Sequence, residues 1–173
     1  MLLSELSPGQ RFLLFLGRNW VIFFLCFLCV LFSFTGAGFL SPKTLNNILI
    51  TSSPALLLAA GETFVIITGG IDLSVGFVRG LISVISAIII RDLYAAGYSP
   101  YIAIFWGIVV GIGVGLLPGL VNGILVAKFR VPPFIATLGI YGVANGVALR
   151  LSQGFPITFL PPEVGEIGNG FVA

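Results

Sequence analysis

Residues 61–76 read Gly-Glu-Thr-Phe-Val-Ile-Ile-Thr-Gly-Gly-Ile-Asp-Leu-Ser-Val-Gly, and the reading of this stretch decides the fold. The paired glycines Gly69 and Gly70 suit the C-terminus of a helix, and Asp72 or Ser74 suits the N-cap of a following one. The stretch therefore reads as helix, break, helix. On its N-terminal side an apolar run extends from about Ile48 to Thr68, interrupted only by Glu62. On its C-terminal side another extends from Val75 to Ile90, interrupted only by Arg79. A membrane-spanning helix needs roughly 20 apolar residues; the first run reaches that length and the second is short of a full crossing.

Composition extends the same reading to the whole chain. Of 173 residues, 58% are hydrophobic and 8% charged, where soluble domains carry about 25% charged residues. With a mean hydropathy of +1.16, too little polar surface is left to hold a folded monomer in water, which excludes a soluble enzyme and a disordered tail. Eight basic and six acidic residues give a formal charge of +2, too weak and too scattered for a nucleic-acid surface. The absence of histidine and the scarcity of acids exclude a zinc site and a Ser/His/Asp triad. Neither Lys43 nor Lys128 lies in a phosphate-binding G-x-x-x-x-G-K-[ST] loop, so an energy source would have to come from elsewhere. Cys26 and Cys29 form a C-x-x-C pattern, but Phe27 and Leu28 lie between them in an uncharged run, and the pair reads as small apolar filler rather than a redox couple.

Outward from the break, the sequence predicts an all-α, polytopic transmembrane helix bundle with about five spans, at 20–40, 48–68, 75–90, 101–127 and 134–150. The remainder, 151–173, reads as a loop or partly ordered cap. The run from Trp20 to Leu40 exceeds the apolar core of a signal peptide; the residues before it read as a cytoplasmic lead-in with a short helix opened by Ser7-Pro8. In the fourth span, Gly107, Gly111, Gly115, Gly119 and Gly123 recur every four residues. Such ladders let helix backbones approach closely in lipid, either within one subunit or between two. Pro118 is expected to kink this helix. The pairs Arg11/Arg18 and Lys128/Arg130 favour a cytoplasmic N-terminus by the positive-inside rule.

Three charges fall where a bilayer disfavours them: Glu62, Asp72 and Arg79. Each costs about 2.5–3.5 kcal/mol at a helix centre, and such groups usually face a bundle interior or a water-filled path. Asp72 reads either as a cap for the next helix or as a functional carboxylate, and Glu62 is placed to pair with Arg79 across the break. The break itself reads either as backbone lining a cavity at membrane depth, as in discontinuous transporter helices, or as an ordinary surface hairpin.

Residues 61–76 closely resemble the signature of permease subunits of ribose/galactose/xylose-type ABC importers, in which a G-x-T-x-V-I-x-T-G-G-I-D-L-S-V-G pattern is typical. A second block follows in family order: Gly119-Leu120-Val121-Asn122-Gly123 through Lys128, then Val131-Pro132-Pro133-Phe134-Ile135-Ala136-Thr137-Leu138-Gly139. The resemblance covers roughly Phe39 to Ile157. It implies a multi-pass permease of the bacterial or archaeal plasma membrane with no catalysis of its own. Its implied partners are a second permease subunit, an extracytoplasmic solute-binding protein and two cytoplasmic ATPase subunits that bind ATP with Mg²⁺; no cofactor or metal is expected on this chain. Carried over by position, Gly69, Gly70, Asp72 and Ser74 belong to the signature near the translocation path, and Phe134 and Thr137 to the second block. Glu62 and Arg79 depart from the pattern, which has an uncharged residue, often Met, at the first position and small or apolar residues at the second. Family permeases are nearly twice as long, so the chain reads as an N-terminal half.

The leading expectation is thus a subunit of an ATP-driven importer of a sugar or similar small polar solute, working by alternating access. The alternatives are an ion-gradient-driven transporter or channel, with Glu62 and Asp72 carrying protons or sodium, and a membrane assembly partner whose glycine ladder packs against another subunit.

Overall fold

The computed structural model describes residues 7–169, which form six α-helices and, among these residues, no strand. They are α1 (Pro8–Thr35), α2 (Pro42–Ile67), α3 (Val75–Ala95), α4 (Pro100–Ala127), α5 (Pro133–Ser152) and α6 (Glu163–Asn169). Four, α1 (over Leu14–Thr35), α2, α4 and α5, are long and apolar enough to cross a membrane. At 21 residues α3 has the length, about 31 Å at 1.5 Å per residue, but it carries Arg79, Arg91 and Asp92. The chain divides into two units after Thr51, within α2.

In the N-terminal unit, α1 bends at Asn19, whose backbone leaves helical geometry (φ −113°, ψ 16°). The cause is local: Asn19 Nδ2 donates to the carbonyl of Phe15 at 2.8 Å, so the side chain competes with the helix ladder. The lead-in thus continues into the first span as one bent helix. That helix ends at Thr35 and not at Leu40, because a turn with Gly38 at φ +76° follows. Ser41 Oγ then accepts the backbone N–H of Thr44 at 3.2 Å, a side-chain cap that starts α2 at Pro42, earlier than the apolar run alone indicates. Cys26 and Cys29 are exposed free thiols on α1.

The second unit is organised around α3, which packs against both α4 and α5. Helices α3 and α4 run antiparallel with glycines at the contact. A Cβ on Gly107 would collide with Ile90, one on Gly111 would lie 2.5 Å from Ser86 Oγ, and one on Gly115 would lie 2.8 Å from Ile82 Cδ1. Each step of four along α4 meets a step of four back along α3. Gly119 and Gly123 have open space where a Cβ would be, so only three rungs of the ladder form an intramolecular contact. Helix α4 continues through Pro118 without interruption.

Helix α3 runs past Ile90 through Arg91 and Asp92, which form a salt bridge with each other at 2.8 Å. It stops at Gly97 (φ +88°), with Tyr98 N–H returning to the carbonyl of Leu93 and Gly97 N–H to that of Tyr94. This is a Schellman stop, which needs a left-handed residue after the last turn. Ile90, Ala103 and Ile104 form the buried core of this end, covered by Leu93, Leu160 and Val164. The C-terminal stretch is therefore not simply a loop: Pro161 is fully buried and α6 packs on α4.

Candidate functional site

The break between α2 and α3 is built from the glycine pair. Gly69 lies at φ +77°, Gly70 N–H donates to the carbonyl of Val65 at 3.0 Å, and Gly69 N–H donates to that of Ile66 at 2.9 Å. This second Schellman stop ends α2. Gly70 is buried for a different reason: a Cβ there would lie 3.1 Å from Val65 Cγ1 and 3.6 Å from Pro133 Cβ, so its missing side chain lets the loop approach both α2 and the start of α5.

From that turn the chain enters a sequence of polar contacts. Glu62 Oε1, on α2, accepts the backbone N–H of Asp72 at 3.1 Å. Asp72 Oδ1 accepts both the backbone N–H of Ser74 at 2.7 Å and its hydroxyl at 2.6 Å. Ser74, 2% exposed, accepts in turn from Asn122 Nδ2 on α4 at 3.2 Å. On the other side of the loop, Thr137 Oγ1 on α5 lies 3.2 Å from the carbonyl of Ile71 and 2.8 Å from that of Pro133, in its own helix. Phe77 and Tyr141 meet edge to face with centroids 4.0 Å apart, fastening the first turn of α3 to α5. One loop is thus held by α2, α4 and α5 together.

Ser74 occupies the N-cap position of α3, but neither it nor Asp72 bonds an N–H of the helix's first turn through its side chain. The Asp72 carboxylate is instead turned back on Ser74, in the manner of an Asx-turn. The expected Glu62–Arg79 pair does not form. Glu62 engages loop backbone, while Arg79 is exposed on α3 and makes no salt bridge among the described residues. Phe134 is 53% exposed at the start of α5, and its side chain takes no part in the polar contacts.

Asn122 was not singled out among the candidate site residues, although it lies in the second sequence block. The available signal is its placement: eleven residues beyond Gly111, about three helical turns, it returns to the face that meets α3. Among the described residues no group of three or more His, Cys, Asp or Glu gathers to hold a metal ion. An open, apolar crevice of about 360 Å³ lined by Ile89, Asp92, Leu93, Trp106 and Val110 lies toward the opposite end of α3 from the break.

Comparison with known proteins matches residues 44–167 to a family described as the branched-chain amino acid transport system / permease component. The chain is 40% identical over 124 residues to the galactofuranose transporter permease protein YtfT of Escherichia coli K12, covering 72% of this chain and 34% of that protein. It is 37% identical over 146 residues to the ribose import permease protein RbsC of Bacillus subtilis (83% and 43%). It is 36% identical over 140 residues to the autoinducer 2 import system permease protein LsrC of Escherichia coli O9:H4 (81% and 39%). The chain therefore spans less than half of each of these relatives, between 34% and 43% of their length. No solved structure matches it. With four apolar helices of spanning length and a family match over most of its residues, the chain is a multi-pass membrane protein that belongs to the permease-component family of branched-chain amino acid transport systems.

Proposed function

We propose that the chain forms the N-terminal part of a permease subunit in an ATP-driven, binding-protein-dependent importer of a sugar or similar small polar solute, in a bacterial or archaeal plasma membrane. The observation that carries this reading is the loop at 68–74. In an otherwise apolar second unit, one non-helical segment carries Asp72 and Ser74 and is met by Glu62 of α2, Asn122 of α4 and Thr137 of α5. Irregular backbone at membrane depth is tolerated where it is buried in protein or lines a path for a polar solute. The relatives' names, for import of ribose, galactofuranose and autoinducer 2, support a polar solute of that kind.

In this reading the solute arrives from an extracytoplasmic binding protein and crosses by alternating access beside a second permease subunit. Two cytoplasmic ATPase subunits, holding ATP and Mg²⁺, drive the change. The N-terminus is cytoplasmic. The chain supplies helices and the polar loop, and performs no chemistry.

The test is the energy source. The chain is reconstituted into proteoliposomes with the ATPase, a companion permease chain and the binding protein, and uptake of [14C]ribose and [14C]galactose is followed. Uptake that requires enclosed MgATP and the partner subunits supports the proposal. Uptake driven by a proton or sodium gradient without ATP overturns it in favour of an ion-coupled transporter in which Glu62 and Asp72 carry the ion.

A further inference from the structure

Asn122 is 7% exposed, yet only half of its amide is satisfied. The Ser74 hydroxyl has one proton, and the 2.6 Å contact directs it to Asp72 Oδ1. Its oxygen can therefore only accept from Asn122, which fixes the amide with Nδ2 toward Ser74 and Oδ1 away from it. That Oδ1 is sealed from solvent and has no hydrogen-bond partner among the described residues. Buried acceptors in native proteins are nearly always paired, so an orphan of this kind calls for a specific reason. Here it stands beside the polar loop, on the helix face that continues the glycine contact with α3.

We propose that Asn122 Oδ1 is the acceptor of a subsite for a hydroxyl group of the transported solute, occluded in this conformation and uncovered when α4 parts from the loop at Ser74. The inference rests on the reading of the chain as a polar-solute permease and names a residue that selects the solute. The chemistry fits a neutral O–H donor. Asp72 Oδ1 already accepts two hydrogen bonds from Ser74, and Asn122 offers a single uncharged carbonyl, whereas a metal cation would require several free oxygens. A single Ser74–Asn122 hydrogen bond is the polar link to be broken on opening. A hydroxyl from the solute would then give Oδ1 the partner it lacks.

The experiment measures equilibrium binding of [14C]ribose and [14C]galactose to the full chain in lipid nanodiscs, for the wild type, Asn122→Leu and Asn122→Gln. The leucine removes the acceptor at similar volume; the glutamine keeps an uncharged amide, with a donor for Ser74 and an acceptor oxygen. Saturable binding by the wild type of at least one sugar, weakened about ten-fold or more in Asn122→Leu, the loss expected for one hydrogen bond, and weakened less in Asn122→Gln than in Asn122→Leu, is the expected result; equal losses in the two variants overturn the proposal. Equal affinity in wild type and Asn122→Leu overturns the proposal and places any sugar site elsewhere. Binding of neither sugar by the wild type also overturns it, leaving water as the donor for Oδ1. Where the leucine variant does not insert, Asn122→Ala is measured in its place with the same expectations. These outcomes are separate from the transport reading, which stands or falls on ATP-dependent uptake by the wild-type complex.

Discussion

The side-chain amide of Asn122 donates to the hydroxyl of Ser74 at 3.2 Å, joining α4 to the start of α3 across 48 residues of sequence. Both side chains are buried, and Ser74 also donates to Asp72. Removing the hydroxyl leaves the buried Asn122 Nδ2 without its acceptor, while Asp72 Oδ1 keeps the backbone N–H of Ser74. Ser74→Ala is expected to destabilise the fold by about 1–3 kcal/mol, the cost of leaving a buried polar group unpaired. Ser74→Ala combined with Asn122→Leu should recover part of that loss. A double-mutant cycle on thermal unfolding in detergent measures the coupling; strictly additive effects would mean that the contact carries no energy.

The glycines of α4 should divide in two. Gly107→Ala, Gly111→Ala and Gly115→Ala each press a Cβ into α3, and overpacking of this kind costs about 1–3 kcal/mol. The order should be Gly107 first and Gly115 last. At Gly107 the Ile90 side chain belongs to the core and the Ser86 carbonyl is also close, whereas at Gly115 only the far end of Ile82 must move. Gly119→Ala and Gly123→Ala meet open space and should leave the unfolding temperature of the isolated chain unchanged or slightly raised. Unfolding temperatures of the five variants check the ranking.

Glu62 is expected to act as an acceptor rather than as a charge. Glu62→Gln keeps an oxygen for the Asp72 N–H and should unfold within about 1 kcal/mol of the wild type. Glu62→Leu leaves that N–H without its partner and should cost about 1–3 kcal/mol. Arg79→Gln removes an exposed charge with no salt bridge among the described residues and should change stability by less than about 0.5 kcal/mol. A large loss in Arg79→Gln would restore the ion pair across the break.

Gly69 holds a left-handed backbone with open space around it, so Gly69→Ala tests conformation alone. The expected cost is about 1–2 kcal/mol. Gly70→Ala tests close approach instead, because its Cβ would press on Val65 and approach Pro133. Its effect should be relieved by Val65→Ala, whereas that of Gly69→Ala should not.

The helix–break–helix unit was legible in the sequence because its causes are local. Gly69 is needed at a left-handed position, and a run of apolar residues on either side of the pair already separates two helices. The glycine ladder was legible only in part. Every four residues a helix face turns by about 40°, so a ladder that meets α3 at Gly107 and Gly111 has rotated well away from it by Gly119 and Gly123. Asn122, eleven residues past Gly111, comes back within about 20° of the contact face. At that end the residue that meets α3 within the chain is Asn122, and Gly119 and Gly123 face open space. The Glu62–Arg79 pair failed for a related reason: opposite charges near each other in sequence carry no information on side-chain direction, and a backbone N–H inside the loop was the nearer partner for Glu62. Likewise, the long-range contacts of Ser74 with Asn122 and of Ile71 with Thr137 depend on how α4 and α5 pack, which no local pattern encodes.

If the solute crosses at the loop between α2 and α3, as proposed, loosening that loop slows transport. The measurement is the initial rate of ATP-driven sugar uptake in proteoliposomes containing the assembled importer, for the wild type and Asp72→Ala at equal membrane insertion. Losing both hydrogen bonds that Asp72 makes to Ser74 should release the loop and lower uptake about ten-fold or more, while the chain still inserts. An uptake rate in Asp72→Ala equal to that of the wild type would contradict the account.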